Sequence, residues 1–300
     1  MKRFGVIFVL LSLLVSLVAG CQPSFQPGAY TDDLNRSVSF NETPKRIVSH
    51  VPSITETLFA LGLGDRVVGR SDFDDYPAEA KSKPSVGNYF NPTIEKIVAL
   101  NPDLVLTDGH SESIKQLDTL KVNYMVIDPK NINDIYRDIE LLGKVAGVEG
   151  KAAKLVDDMK KTVANVQNRA KGAPKVRVIY LLDATDLNNP WTAGSGSFVD
   201  AMITMAGGEN IAARVPNAYG QLSIEQIIAA DPDIIILPGQ HGTAFTAPQT
   251  LKEHPAWQKT SAVKNNRIFV ANADLVDRSG PRIVLGLEEV AKIIHPELYK

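Results

Sequence analysis

His50, His110 and His241 are the residues whose type and placement best suit chemistry, because each follows a short apolar run of strand length. Imidazole is the commonest side-chain metal ligand, and three of them together could hold Zn²⁺ directly. No His-rich loop accompanies them, so none is expected to bind a metal ion directly. His254 and His295 fall on helical stretches late in the chain and read as ordinary. Nucleophilic chemistry has less support. Gly194-Ser195-Gly196-Ser197 lacks the G-x-S-x-G spacing. Gly207-Gly208 is neither a phosphate loop nor a dinucleotide fingerprint. Both clusters read as turns. Glu95 and Glu225 have the right chemistry for an acid–base pair but belong to separate halves of the chain, each on an exposed helix start. The expectation is a binding protein with no catalytic residues.

One further reactive group, Cys21, is the single cysteine of the 300 residues. Lys2 and Arg3 precede an apolar run from Val6 to Val18, which ends in Val18-Ala19-Gly20-Cys21. A charged start, an apolar stretch and small residues before a cut site make a signal peptide. Small residues directly before a cysteine resemble a lipobox, in which Cys21 takes a lipid and becomes the mature N-terminus. The run is short for a membrane-spanning helix, which needs about 20 residues. A net charge of −2 leaves no basic footprint for nucleic acid.

The elements that must position these groups show themselves in a repeat. Asn91–Leu106 reads NPTIEKIVALNPDLVL, and 130 positions later Gln221–Ile236 reads QLSIEQIIAADPDIII. Thr93 and Ser223 are each placed to cap a helix. Ile94, Ile97 and Val98, like Ile224, Ile227 and Ile228, form one helical face. The residue before a proline is pushed out of the helical region, so the helices should stop near Asn101 and Asp231. A buried strand follows each. Two similar lobes are therefore expected.

Around the repeat, Gln22–Thr31 reads as a tether and Asn35 as a turn. Ser53-Ile54-Thr55-Glu56 reads as a capping box. Asn131–Gly172 carries helical spacing only, interrupted at Gly147 and Gly150, which makes it a connector between the lobes. The expected boundaries are residues 1–20 for the signal, 21–40 for tether and leading turn, 41–130 for the N-terminal lobe, 131–172 for the connector and 173–300 for the C-terminal lobe. Strands alternating with helices imply an α/β fold with parallel-rich sheets flanked by helices. Ligands in such sheets sit beyond the carboxyl ends of the strands. That rule selects His50–Thr55, His110, Asp183–Gly196, His241 and Asp274–Arg278.

Several runs then resemble the substrate-binding lipoproteins of ABC importers for cobalamin, siderophores and haem. They are Arg46-Ile47-Val48-Ser49 with Pro52-Ser53-Ile54-Thr55-Glu56, Phe73-Asp74-Asp75-Tyr76-Pro77, Val86-Gly87-Asn88-Tyr89, the Ile94–Val105 run, Pro190-Trp191-Thr192-Ala193-Gly194, Ala206–Ile211 and Ser279–Ile283. The resemblance covers about Thr31 to the C-terminus and is strongest to cobalamin binders. It implies two lobes joined by a single long helix, the helical-backbone periplasmic-binding-protein fold, with the ligand in the cleft. It also implies that Phe73, Tyr89, Trp191 and Tyr219 contact a corrin and that Asp274 and Arg278 make its polar contacts. From their strand-end placement alone, one of the three histidines, such as His50, could meet cobalt or haem iron axially. By the same resemblance Glu95 and Glu225 dock an ABC permease dimer with its ATPase subunits. The protein is then an exported monomer, lipid-anchored through Cys21, with no cofactor of its own. A ferric siderophore or haem is the alternative ligand; a metal-ion binder and a periplasmic hydrolase are remoter readings.

Overall fold

The computed structural model describes residues 25–108, 110, 112–239 and 246–300. The signal segment, Cys21 and His241 lie outside the described residues. The chain opens with β1 (Gly28–Thr31) and β2 (Ser37–Phe40), an antiparallel hairpin turned at Asn35, whose φ is +59°. Residues 28–31 are thus a strand where the sequence suggests only tether. The reason is Asp32: its carboxylate accepts from the Arg36 backbone and guanidinium and from Val126 N–H at 3.1 Å, pinning the hairpin to the first lobe.

That lobe is a four-stranded parallel sheet in the order β4-β3-β5-β6. Its elements are β3 (Ile47–Ser49), α1 (Pro52–Ala60), β4 (Val67–Arg70), α2 (Ile94–Ala99), β5 (Leu104–Thr107), α3 (Gln116–Thr119) and β6 (Tyr124–Val126). β5 is buried at every position, as a parallel strand covered on both faces must be. Helix α1 corrects the capping-box reading. It starts at Pro52, which needs no N–H there, and Val51 at the N-cap offers no side-chain bond. Ser53 and Glu56 lie inside the helix, and Glu56 is buried.

The connector carries two helices, divided at Gly147 as the sequence suggests, and the second is the long one. α4 (Ile132–Ala146) starts at Asn131, whose side chain accepts from the Asn133 and Asp134 amides, and stops at Gly147 with φ +68°. After this left-handed residue, α5 (Glu149–Ala170) runs 22 residues, about 33 Å at 1.5 Å per residue. Gly150 sits within α5 and does not interrupt it. Ala152, Val156, Met159 and Val166 form the buried stripe of α5, which packs on α4.

In the second lobe β7 (Val176–Asp183), β8 (Trp191–Ala193), α6 (Phe198–Met205), β9 (Gly208–Asn210), β10 (Tyr219–Gln221), α7 (Ile224–Ala230), β11 (Ile234–Gly239), α8 (Pro248–Glu253), α9 (Ser261–Lys264), β12 (Ile268–Asn272), α10 (Ala273–Val276) and α11 (Ile283–Ile294) follow. The sheet runs β10-β8-β7-β11-β12, with β9 beside β7. β7, β11, β12 and β9 are parallel; β8 and β10 add antiparallel at one edge. Helices α11 and α6 pack on α5, so one buried cluster runs through both lobes and the connector. The architecture is α/β, with parallel-rich sheets flanked by helices in two lobes.

Candidate functional site: a cleft between the lobes

The repeat places two surfaces alike. In α2 and α7 the positions of Ile94, Ile97, Ile224 and Ile227 are buried, and Glu95 and Glu225 are exposed. The helices stop where expected: Asn101 and Asp231 both adopt left-handed backbone, with φ +47° and +43°. Ser223 completes a capping box with Gln226, but Thr93 makes no side-chain cap. The equivalent of Gln226 is Lys96, which has no acceptor to reach back with. Glu225 accepts from its own amide and from Ser223, which hold its carboxyl below the usual range.

The strands end at a cavity of about 710 Å³ between the lobes. From the first lobe come Val51–Ser53 after β3, Phe73, Tyr89 and Phe90 from the long loop, Asp108 and His110 after β5, and Ile127–Lys130 after β6. From the second come Gly196–Phe198, Ala218 and Tyr219, and Asp277–Ser279. Phe73 is 47% exposed, Phe90 68% and Tyr219 46%, so their faces are open to a ligand. Phe90, which the sequence reading passed over, meets Tyr89 edge-on at 4.9 Å between ring centres.

The aromatic side chains are held by polar anchors. Phe73 precedes Asp74, which is buried and accepts from Thr55 Oγ1 at 2.5 Å and from the Ser71 hydroxyl and amide. Burial pushes the Asp74 carboxyl up to about 6 against the pull of these donors. Tyr89 donates its hydroxyl to Asp108 and stacks on His50, with ring centres 6.2 Å apart. Burial, with Asp108 beside it, raises the Tyr89 pKa well above the usual range. His50 itself is 1% exposed, and its Nε2 lies 3.0 Å from the Asn88 carbonyl. Burial lowers its pKa. It therefore backs Tyr89 and does not line the cavity.

Asp108 serves two groups. Its Oδ1 accepts the His110 amide at 3.1 Å, and its Oδ2 lies 3.2 Å from His110 Nδ1 as well as taking the Tyr89 hydroxyl. The His110 side chain is 64% exposed. Across the cleft Tyr180, fully buried, donates to the Asp277 carboxylate at 2.9 Å. Surrounding protein pushes the Asp277 carboxyl up to about 6. The residue nevertheless meets solvent at the cavity wall, which tempers that shift.

Two expected contacts fall elsewhere. Trp191 is 46% exposed but does not line the cavity. It pairs with Gln221 across the β8–β10 ladder, so it shares a sheet face with Tyr219 one diagonal step away, roughly 7–8 Å. Asp274 lies behind Arg278, 2.7 Å from its guanidinium. Arg278 does line the cavity, yet three carboxylates engage it. Besides Asp274 they are Glu56 at 3.0 Å and Asp75 at 2.8 Å, both from the first lobe. Arg282 completes the junction with bonds of 2.8 and 2.6 Å to Glu56, its guanidinium 3.8 Å from the Tyr76 ring centre. This ionic bolt between lobes was invisible in the sequence, because its partners are more than 200 residues apart. Among the described residues no group of three or more His, Cys, Asp or Glu side chains is placed to hold a metal ion.

Residues 47–275 match the periplasmic binding protein family. The ABC transporter substrate-binding lipoprotein YvrC of Bacillus subtilis, named as uncharacterized, is 33% identical over the full length of both chains. The periplasmic vitamin B12 binding protein BtuF of Vibrio cholerae is 27% identical, with 86% of this chain and 98% of that one covered at a TM-score of 0.71. The periplasmic heme-binding protein RhuT from Roseiflexus sp. RS-1 is 28% identical, covering 85% of this chain and 99% of that one at a TM-score of 0.75. With its two α/β lobes and the cleft between them, the chain belongs to the periplasmic binding protein family and is the solute-binding component of an ABC importer.

Proposed function

We propose that the protein captures a corrinoid in the inter-lobe cleft and delivers it to an ABC permease. The observation that supports this most is the pairing of the cavity's charges. Aromatic faces from both lobes, Phe73, Tyr89 and Phe90 opposite Tyr219, offer broad apolar area to a flat macrocycle. Among the described residues of the wall, the permanent cations are paired with acids: Arg278 with three carboxylates, and the exposed Lys130 with Asp128 at 2.5 Å. Asp108 and Asp277 add further acid. An anionic haem or ferric siderophore calls for open arginine or lysine donors, whereas a corrinoid brings amide groups that carboxylates and hydroxyls can meet. The likeness to a vitamin B12 binding protein supports the same ligand.

In this reading the mature chain is held to the membrane by a lipid on Cys21 and acts as a monomer. Glu95 and Glu225, one per lobe, meet basic residues on the two permease halves. ATP hydrolysis belongs to the partner subunits, and no reaction is assigned to this chain. Calorimetry of the mature protein with cyanocobalamin, cobinamide, haemin and a ferric siderophore panel tests the ligand. Micromolar or tighter corrinoid binding is expected. Binding of haemin or a siderophore with no corrinoid binding at that concentration would overturn the reading.

A further inference from the structure

We propose that filling the cleft draws a proton onto Asp138, a carboxyl of α4 that lies behind the cavity floor. The inference rests on the cleft as the ligand's seat and not on which ligand fills it. Asp138 is 3% exposed. Its Oδ1 accepts from the Arg137 guanidinium at 3.1 and 2.9 Å, and its Oδ2 is buried without a hydrogen-bond partner among the described residues. With Ser53, Thr57 and Ser279 the residue lines a small pocket of about 10 Å³. That volume has room for about one water molecule. Ser53, Ile127, Pro129 and Ser279 line both this pocket and the ligand cavity. These four residues, from both lobes, are the partition between Asp138 and the cleft.

A buried carboxylate needs donors or water at both oxygens. Arg137 serves one, and the small pocket limits water at the other, so solvent in the open cleft is part of what supports the charge. A ligand seated on the partition displaces that solvent, and desolvation favours the neutral acid. A proton from solvent then joins the carboxylate oxygen, and no electron or other group moves. Burial, with the charge of Asp33 added, already pushes Asp138 up to about 7 against the pull of Arg137. The other groups packed around it are neutral or paired. On α1, the Thr57 hydroxyl donates to the Ser53 carbonyl at 2.8 Å, and Glu56 is held by Arg278 and Arg282. On α4, Asp134 pairs with Arg137, which Asp33 of the hairpin turn also engages. After β6, Asp128 pairs with Lys130, and the second lobe contributes the Ser279 hydroxyl.

Calorimetry of the mature protein with cyanocobalamin, in two buffers of different ionisation enthalpy, counts the protons taken up on binding. Raising a pKa near 7 by about 0.5–1 draws roughly 0.3–0.4 proton at pH 7 and makes binding about three- to eightfold tighter at pH 5.5 than at pH 8.5. Asp277, pushed up to about 6 on the cavity wall, titrates as well, so the share of Asp138 is the difference between wild type and Asp138→Asn. That variant cannot titrate and should lose this uptake and this part of the pH dependence. Asp33→Asn removes the neighbouring acid and should move the midpoint of the linkage to lower pH. Circular dichroism melts establish that the variants are folded at the titration temperature, and the Asp33→Asn midpoint decides if Asp138→Asn is not. Equal uptake by wild type and Asp138→Asn, or an unmoved midpoint in Asp33→Asn, overturns the proton linkage and leaves the corrinoid reading standing. Absence of cyanocobalamin binding overturns the corrinoid reading alone, and the same titration with haemin or whichever ferric siderophore binds then decides the linkage by the same criterion. Absence of binding by every probe overturns both.

Discussion

Phe73 and Tyr219 face each other's lobes across the cavity, and each leaves about half its surface uncovered. Covering most of such a ring with a ligand removes on the order of 100 Å² from water, worth about 2 kcal/mol at roughly 25 cal/mol per Å². Phe73→Ala and Tyr219→Ala should therefore each weaken ligand binding by about tenfold or more in calorimetry, and Trp191→Ala should do less because it stands outside the cavity wall. Asp74, which anchors the Phe73 loop, gives a stability prediction with a definite sign. Burial raises its pKa from 3.8 to about 6 in the folded protein, so between those values the folded state keeps a proton that the unfolded chain has released. Its contribution is full below about pH 4 and is lost as pH rises to 6, an amount on the order of 2–3 kcal/mol. Asp74→Asn cannot titrate. Urea melts from pH 4 to 6 should show a flatter stability profile for the variant than for the wild type; parallel profiles would remove Asp74 from the account.

The repeated helix–turn–strand units are locked by the same device. In the first, the Asp103 carboxylate accepts the Lys45 amide at 2.7 Å and the Arg46 amide at 3.0 Å, and Arg46 donates back to the Leu100 and Asn101 carbonyls at the end of α2. In the second, Asp233 accepts the Arg177 amide at 2.9 Å and its guanidinium at 2.8 Å, while Arg177 donates to the Ala230 carbonyl at the end of α7. Each Pro-Asp thus joins a helix end to the start of the neighbouring strand, β3 or β7. This explains why both copies keep Pro-Asp. Hydrogen bonds to a charged group are worth roughly 1.5–3 kcal/mol; because Asp233 is partly exposed, Asp233→Ala should cost about 1–2 kcal/mol in denaturant unfolding. Glu225→Ala, on the exposed side of the same unit, should stay within about 0.5 kcal/mol.

Between the lobes, Glu56 is the buried centre of the bolt: its side chain is 1% exposed, against 12% for Arg278 and 16% for Arg282. Removing one member of a buried ionic group strands the others, at a cost of about 3–5 kcal/mol. Glu56→Ala should lower the melting temperature and, in small-angle scattering, raise the radius of gyration as the lobes part. An unchanged radius would mean that the connector and the shared core alone set the lobe spacing. Arg278 belongs to both bolt and cavity wall, so the width of the cleft and its charge are set together. At the far surfaces, Glu95→Ala combined with Glu225→Ala should abolish uptake in cells while calorimetry finds ligand affinity unchanged. Loss of affinity in the double variant would return both acids to a structural role at their helix starts.

The repeat was legible because local rules govern it. A proline pushes the residue before it out of the helical region, and parallel strands covered on both faces are largely apolar, so α2, α7, β5 and β11 could be read from Asn91–Leu106 and Gln221–Ile236. The strand-end rule likewise reached His110 and Arg278 without any contact being known. What escaped is set by partners distant in the chain. β8, β9 and β10 are three residues each, too short for a period to show, and they exist as strands only because β7 and its neighbours supply their hydrogen bonds. Glu56 reads as a capping acid in the sequence, but α1 begins two residues earlier, at Pro52, and turns it toward two arginines of the other lobe. His50 and His110 follow equivalent strands in the same lobe; burial beside Tyr89 closes one of them, while the other lines the cleft. Residue type and spacing determine which groups stand near the strand ends, and only the packing of one lobe on the other decides which of them a ligand can touch.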